Sequence, residues 1–187
     1  EKVIDEINDS LDNDKVIISL APGFTIAQLK EKLKAGRIVR SMPNTPAMIG
    51  EGMTGVCFDE NEFDENEIDV INKIFEATGK AKKVDEKLMN ASGSSPAYVF
   101  MFIEALADSA VKCGLPRKDA YEFVAQTVLG SAKLMLETGK HPGELKDMVC
   151  SPGGTTIAGV AELEKNGFRK AIFEATDACF NKCNNIK

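Results

Sequence analysis

Histidine is nearly absent from this sequence: His141 is the only one in 187 residues. Standing ahead of Pro142-Gly143, it fits a turn or helix start better than an acid–base catalyst, and no His-dependent triad can be assembled around it. Positive charge is in deficit, with 23 Lys+Arg against 29 Asp+Glu and a net charge of −6. That balance argues against nucleic acid or an anionic membrane as the main partner. Long apolar runs are missing too. The longest strongly apolar stretch, Ala97 to Ile103, is closed by Glu104, well short of the roughly 18–20 residues of a membrane span. The opening residues, EKVIDEINDS, are acidic and amphipathic, unlike a signal peptide. The cysteines, Cys57, Cys113, Cys150, Cys179 and Cys183, are odd in number and form no disulfide framework. Cys179 and Cys183 share a helix face, but zinc would want two further ligands, so no metal is expected. Reduced thiols in a cytoplasmic protein are the expectation.

What is present falls into two halves. The first alternates helix and strand. Val3, Ile4, Ile7 and Leu11 have helical spacing. Val16-Ile17-Ile18-Ser19-Leu20 is a continuous apolar run, as in a parallel strand buried on both faces. Thr25 can cap a helix through Ile26, Leu29 and Leu33. Ile38-Val39 begins a strand that stops at Pro43, and Thr54 to Phe58 is another. Asp64 and Glu67 have capping-box spacing before Ile68, Ile71, Ile74 and Phe75. Ala81 to Val84 adds a last short strand. This rhythm predicts a partial Rossmann-like parallel sheet over residues 1–90.

The second half, residues 91–187, reads as long helices. Ser95 is a good N-cap and Pro96 suits the first helical position. The helix that follows, AYVFMFIEALADSAVKC, is apolar all round in its first two turns, so it should be buried all round. A subunit interface would do that, as would the centre of a monomeric bundle. Further helices are expected near Lys118, across HPGELKDMVC, from Thr156 to Asn166, and from Phe168 onward.

Two stretches carry glycine patterns. GEGMTG, residues 50–55, matches G-x-G-x-x-G. A dinucleotide loop needs a strand before it and a helix opening on its last glycine. Here two prolines precede it and a β-prone run follows, so it reads as a turn entering a strand. SPGGTT, residues 151–156, leads directly into a helix. The unpaired N–H groups of that first turn can bind an anion, and no lysine or arginine stands in the loop, which favours a small carboxylate over a polyphosphate. An ordinary glycine turn with an N-cap explains the local residues equally well.

MPNTPAMIGEGMTG, SGSSPAY, GLPRKDA and HPGELKDMVCSPGGTTIAGVAELEKNGFR together resemble pyrroline-5-carboxylate reductase, over nearly the whole chain. Family members open with a glycine-rich βαβ segment, and the resemblance implies that about 80 residues of that kind are missing here. The fold implied is a dinucleotide domain followed by a helical domain that dimerises by interlocking. A homodimer is therefore expected, with rings of dimers in some members. The reaction implied is hydride transfer from NADH or NADPH to the C=N carbon of pyrroline-5-carboxylate, giving L-proline, in proline biosynthesis.

On this resemblance Gly154, Thr155 and Thr156 would offer backbone N–H groups to the substrate carboxylate, Ser151 would line the site, and the Thr156 hydroxyl would bond the ring nitrogen. Leu20, Ala21 and Pro22, with Met42, Pro43 and Asn44, would border the nicotinamide. Pro22 departs from the alanine often found there and lacks an N–H. Gly139 stands where some relatives carry a glutamate, so no acidic substrate residue is assigned. Two other readings stay open: a non-catalytic dimerisation and substrate-loop fragment, inactive by itself, and a related reductase acting on another imine or a hydroxy acid.

Overall fold

The computed structural model describes residues 2–91 and 93–185. Ser92, first residue of the SGSSPAY motif, lies outside them. The chain divides into two compact units. One is Glu1–Pro96 with Thr176–Lys187, and the other is Ala97–Ala175.

The first unit is α/β. Helices α1 (Lys2–Asn8), α2 (Ile26–Lys32) and α3 (Glu65–Glu76) accompany strands β1 (Val16–Ser19), β2 (Arg37–Met42), β3 (Gly52–Cys57) and β4 (Gly79–Lys83). The strands form one sheet in the order β1-β2-β3-β4. Successive side chains leave a strand on opposite faces, and both faces are covered. Ile38, fully buried, packs with Leu29 and Leu33 of the α2 region, alongside Ile17 and the α1 residues Ile4 and Ile7. Its neighbour Val39 points the other way, into a cluster with Val56, Phe58, Ile71 and Phe75, against which Val16 and Ile18 pack.

The expected parallel sheet is in fact mixed. β1 and β2 are parallel, with Val16 opposite Arg37 and Ser19 opposite Arg40. β3 and β4 are parallel, but β2 and β3 are antiparallel, with Arg40 opposite Cys57 and Met42 opposite Gly55. The reason is the link. Only Pro43 to Glu51 separate the two strands, and a parallel crossover takes a dozen or more residues.

Local signals placed the helix starts. Thr25 caps α2 in a capping box with Gln28, and Asp64 caps α3 in one with Glu67. Glu67 also pairs with Arg37 on β2, which ties the start of α3 to the sheet. Glu86 accepts the Ile26 N–H at 2.6 Å and faces the buried Arg40 at 3.5 Å. The cysteines are free thiols. Burial, foremost, pushes the Cys57 and Cys183 thiols above their ordinary range, which makes them poor nucleophiles.

The second unit is helical. It holds most of α4 (Ser95–Lys112) and α5 (Arg117–Thr138), α6 (Pro142–Met148), α7 (Thr155–Lys165) and the first part of α8 (Phe168–Asn184). Helix α4 begins at Ser95 itself and α7 at Thr155, each one residue earlier than expected. The buried core here is small: Ala107, Ala120 and Val124, flanked by Ile103, Val111 and Leu115. Much larger side chains stand in the open, including Phe100, Met101, Phe123, Leu136 and Phe173. An apolar groove of about 540 Å³ runs past Tyr98, Met101, Phe102, Leu106, Phe168 and Ile172. Among the described residues no helix is long and apolar enough to cross a membrane.

Candidate functional site

GEGMTG can be assigned first, because its central glycine, Gly52, is packed against the protein itself. Gly50 takes φ +74° and ends a short 3₁₀ helix, Thr45–Ile49. Gly52 already lies in β3, two residues before the expected strand start. A Cβ on Gly52 would fall 2.8 Å from Ala47 and from the Thr78 carbonyl oxygen. Gly79, at φ +133°, leans on the Gly52 backbone from the next strand. Around Gly52 main chain packs on main chain, and no helix opens on Gly55, which lies within β3.

SPGGTT is built differently. Gly153 adopts φ +67°, a left-handed conformation that favours glycine. The Gly154 N–H donates to the Ser151 carbonyl at 3.0 Å, closing a turn. A side chain on Gly154 would collide with the Ser151 hydroxyl oxygen. Gly154 then serves as N-cap of α7, without a side-chain bond across the cap. The N–H groups of Thr155 and Thr156 find no partner among the described residues, and neither do the two hydroxyls. Ser151, Thr155 and Thr156 are exposed and Gly154 half-buried. An open helix start of this kind presents oriented donors and the positive dipole end to an anion. One expectation changes: the Gly154 N–H is engaged inside the turn, so Gly154 shapes the loop, and the free backbone donors start at Thr155.

In the α/β unit the two remaining groups of candidate residues come together. Leu20-Ala21-Pro22 follow directly on β1, and Met42 ends the neighbouring parallel strand β2 and leads into Pro43-Asn44. They form a crest at the carboxyl end of that pair, where ligands of α/β sheets bind. Ser19 and Ser41, both buried, hold it. The Ser19 hydroxyl accepts the Ala21 N–H at 3.3 Å, and the Ser41 hydroxyl donates to the Ser19 carbonyl at 3.4 Å. The Asn44 Oδ1 accepts the Met53 N–H at 2.9 Å, which leaves its amide NH₂ uncommitted among the described residues. Leu20 is 57% exposed.

This crest is where the cofactor-binding residues expected from the sequence stand side by side. It offers an apolar surface, carbonyls and one amide, with no cation for a phosphate. Ala21, its N–H taken, and Pro22, which has none, contribute shape and no donor. The two serines were missed in the sequence. Their signal was a small hydroxyl residue near the carboxyl end of each strand, in VIIS and RIVRSM. His141 takes the place expected for it, as the N-cap of α6.

Comparison with known proteins adds the family. A family model described as pyrroline-5-carboxylate reductase dimerisation matches residues 85–186. The chain is 53% identical over 186 residues to a pyrroline-5-carboxylate reductase of Escherichia coli, covering 97% of this chain and 69% of that protein. It is 45% identical to a namesake in Arabidopsis thaliana, covering 95% and 66% respectively. Among solved structures, the pyrroline carboxylate reductase of Plasmodium falciparum with NADP bound superposes with a TM-score of 0.88 at 36% identity, over 98% of this chain and 71% of that one.

Proposed function

We propose a function for this chain on one premise: it belongs to the pyrroline-5-carboxylate reductase family. The function is reduction of the C=N bond of pyrroline-5-carboxylate to L-proline. The observation that carries it is the open start of α7, where a two-glycine turn leaves the Thr155 and Thr156 N–H groups without a partner among the described residues.

The substrate pairs an anionic carboxylate with a ring nitrogen a few bonds away. In this reading the Thr155 and Thr156 N–H groups grip the carboxylate, helped by the α7 dipole. The Thr156 hydroxyl bonds the ring nitrogen, Ser151 lines the loop, and Gly154 lets the chain turn close beneath. Fixing both ends of a small rigid ring fixes which face of its C=N carbon is presented. Bound NAD(P)H supplies the hydride. The crest of Leu20, Ala21, Pro22, Met42, Pro43 and Asn44 holds the nicotinamide end, with the Asn44 amide able to bond the carboxamide. No carboxylic acid or histidine of the loop donates the proton, so the ring nitrogen arrives protonated or takes its proton from water.

In the same reading residues 1–90 are the cofactor-binding part and 91–187 the dimerisation and substrate-binding part. The exposed apolar residues of α4 and the groove beside Phe102 and Phe168 support a homodimer. A ring of such dimers is the larger assembly to look for by sedimentation. Five free thiols support a reducing, cytoplasmic location.

The test is oxidation of NADPH or NADH by the intact enzyme with pyrroline-5-carboxylate, set beside a panel of other cyclic imines and small hydroxy acids. Turnover confined to, or strongly favouring, the five-membered imino acid supports the reading. Preference for a substrate without the carboxylate would sink it.

A further inference from the structure

We propose that His141 is a positioning residue for the substrate loop, acting through its imidazole Nδ1 on helix α6. The inference rests on the reading of Ser151 to Thr156 as that loop. Helix α6 has only seven residues, too few to hold a helical turn by themselves, and it delivers the chain to Ser151. His141 fastens its start. Nδ1 accepts the Gly143 N–H at 3.1 Å, and the His141 carbonyl accepts the Leu145 N–H at 3.2 Å. Gly143 is fitted to this arrangement, because a Cβ there would stand 3.0 Å from Nδ1 and 3.3 Å from Cε1. The imidazole lies over a bare Cα.

From that cap, hydrogen-bonded turns lead into the loop. The Val149 N–H reaches the Lys146 carbonyl at 3.2 Å, the Cys150 N–H reaches Asp147 at 3.1 Å, and the Gly154 N–H reaches Ser151 at 3.0 Å. Another tie across the first turn is the Lys140–Glu144 ion pair at 2.9 Å, and both partners are exposed, so it adds little. The cap therefore sets where the loop begins. Losing it frays the first turn of α6 and leaves Ser151 to Thr156 without a fixed base.

Four variants of the intact enzyme test this: His141→Ala, His141→Asn, His141→Gln and Gly143→Ala. The Asn side-chain oxygen replaces Nδ1 as a cap acceptor, whereas the Gln oxygen reaches toward the Nε2 position. Kinetics are read well below the melting temperature, where every variant is folded. His141→Ala, His141→Gln and Gly143→Ala are expected to raise the KM for pyrroline-5-carboxylate roughly 3- to 30-fold, with the KM for NADPH unchanged. His141→Asn should stay within about twofold of the parent. A merely structural cap would lower the melting temperature and leave the substrate KM alone.

An unaltered substrate KM in His141→Ala, or an Asn variant no better than the Gln one, overturns the positioning role. Thr156→Ala, measured in parallel, separates the two levels. If Thr156→Ala is impaired and His141→Ala is not, only the role of His141 falls. If Thr156→Ala turns over normally, the reading of the loop falls first.

Discussion

Each unit carries one glycine-rich stretch, and the two units put their special residues to opposite uses. In the α/β unit the middle of the sheet is closed on itself, while Leu20, Met48 and Ile49 at its margins stay exposed. Gly52 and Gly79 let two strands touch, and Ile38 and Val39 are fully buried on opposite faces of the sheet. In the helical unit the glycine turn at 153–154 opens outward, with donors that have no partner among the described residues. Its largest apolar side chains also stand outside a small alanine-lined core. A unit that leaves Phe100, Met101 and Phe173 exposed offers a second surface a place to pack, because exposed apolar area of that extent favours association.

The sharpest way to break this contrast is at the outward apolar face. Phe102→Glu places a charge in the groove beside Phe168, whose ring lies 6.2 Å away. Burying that charge unpaired in a dimer costs several kcal/mol, so light scattering should show dissociation or aggregation. A well-folded dimer of parental stability would remove α4 from the interface.

Next comes the inward use of glycine. Gly52→Ala forces a Cβ to within 2.8 Å of Ala47 and the Thr78 carbonyl. Overpacking against backbone should cost about 2–3 kcal/mol of stability, read by denaturant unfolding. The fraction that remains folded should turn over at the parental rate. A loss of NADPH affinity without loss of stability would instead mean that GEGMTG touches cofactor after all.

Thr156→Ala probes the outward loop and should give the reverse pattern. It keeps the backbone N–H and deletes the hydroxyl. One hydrogen bond to a charged group is worth roughly 1.5–3 kcal/mol, or on the order of a 10- to 150-fold fall in kcat/KM. Since Gly154 is the α7 N-cap, the melting temperature should hardly move. A lowered melting point with normal turnover would make SPGGTT a structural turn and erase the distinction between the two glycine stretches.

The smallest effect is expected at the start of α3. Asp64 accepts the Glu67 N–H at 2.8 Å. Asp64→Ala should cost about 1 kcal/mol of stability with unchanged kinetics.

These contrasts were unevenly legible in the sequence. The capping residues Thr25 and Asp64, the buried strand VIIS and the helix opening at SPGGTT are local devices. Each is recognised within a few residues, because the hydrogen bonds or the periodicity involved span only that distance. The direction of β3 was legible too, in the short link from Pro43 to Glu51, but the alternation of helix and strand suggested a parallel sheet instead. The pairing of Ser19 with Ser41 could not be read, since it depends on β1 and β2 lying side by side. The engagement of the Gly154 N–H was hidden because it follows from the particular turn that Gly153 adopts.

The sequence by itself determined the order of the α-helices and strands and their limits to within a few residues, which strand faces are apolar, and the family, through long ordered motifs. Those properties depend on neighbours along the chain. Only the tertiary structure decided that Gly52 and Gly79, 27 positions apart (79 − 52 = 27), must both lack side chains. It alone decided that the Thr155 and Thr156 donors have no partner among the described residues while the Gly154 N–H has one, and that the large residues of α4 stay outside the core. Each of these depends on what a group meets in space after folding. The same glycine is a packing device where a backbone lies against it and part of an open turn where solvent does.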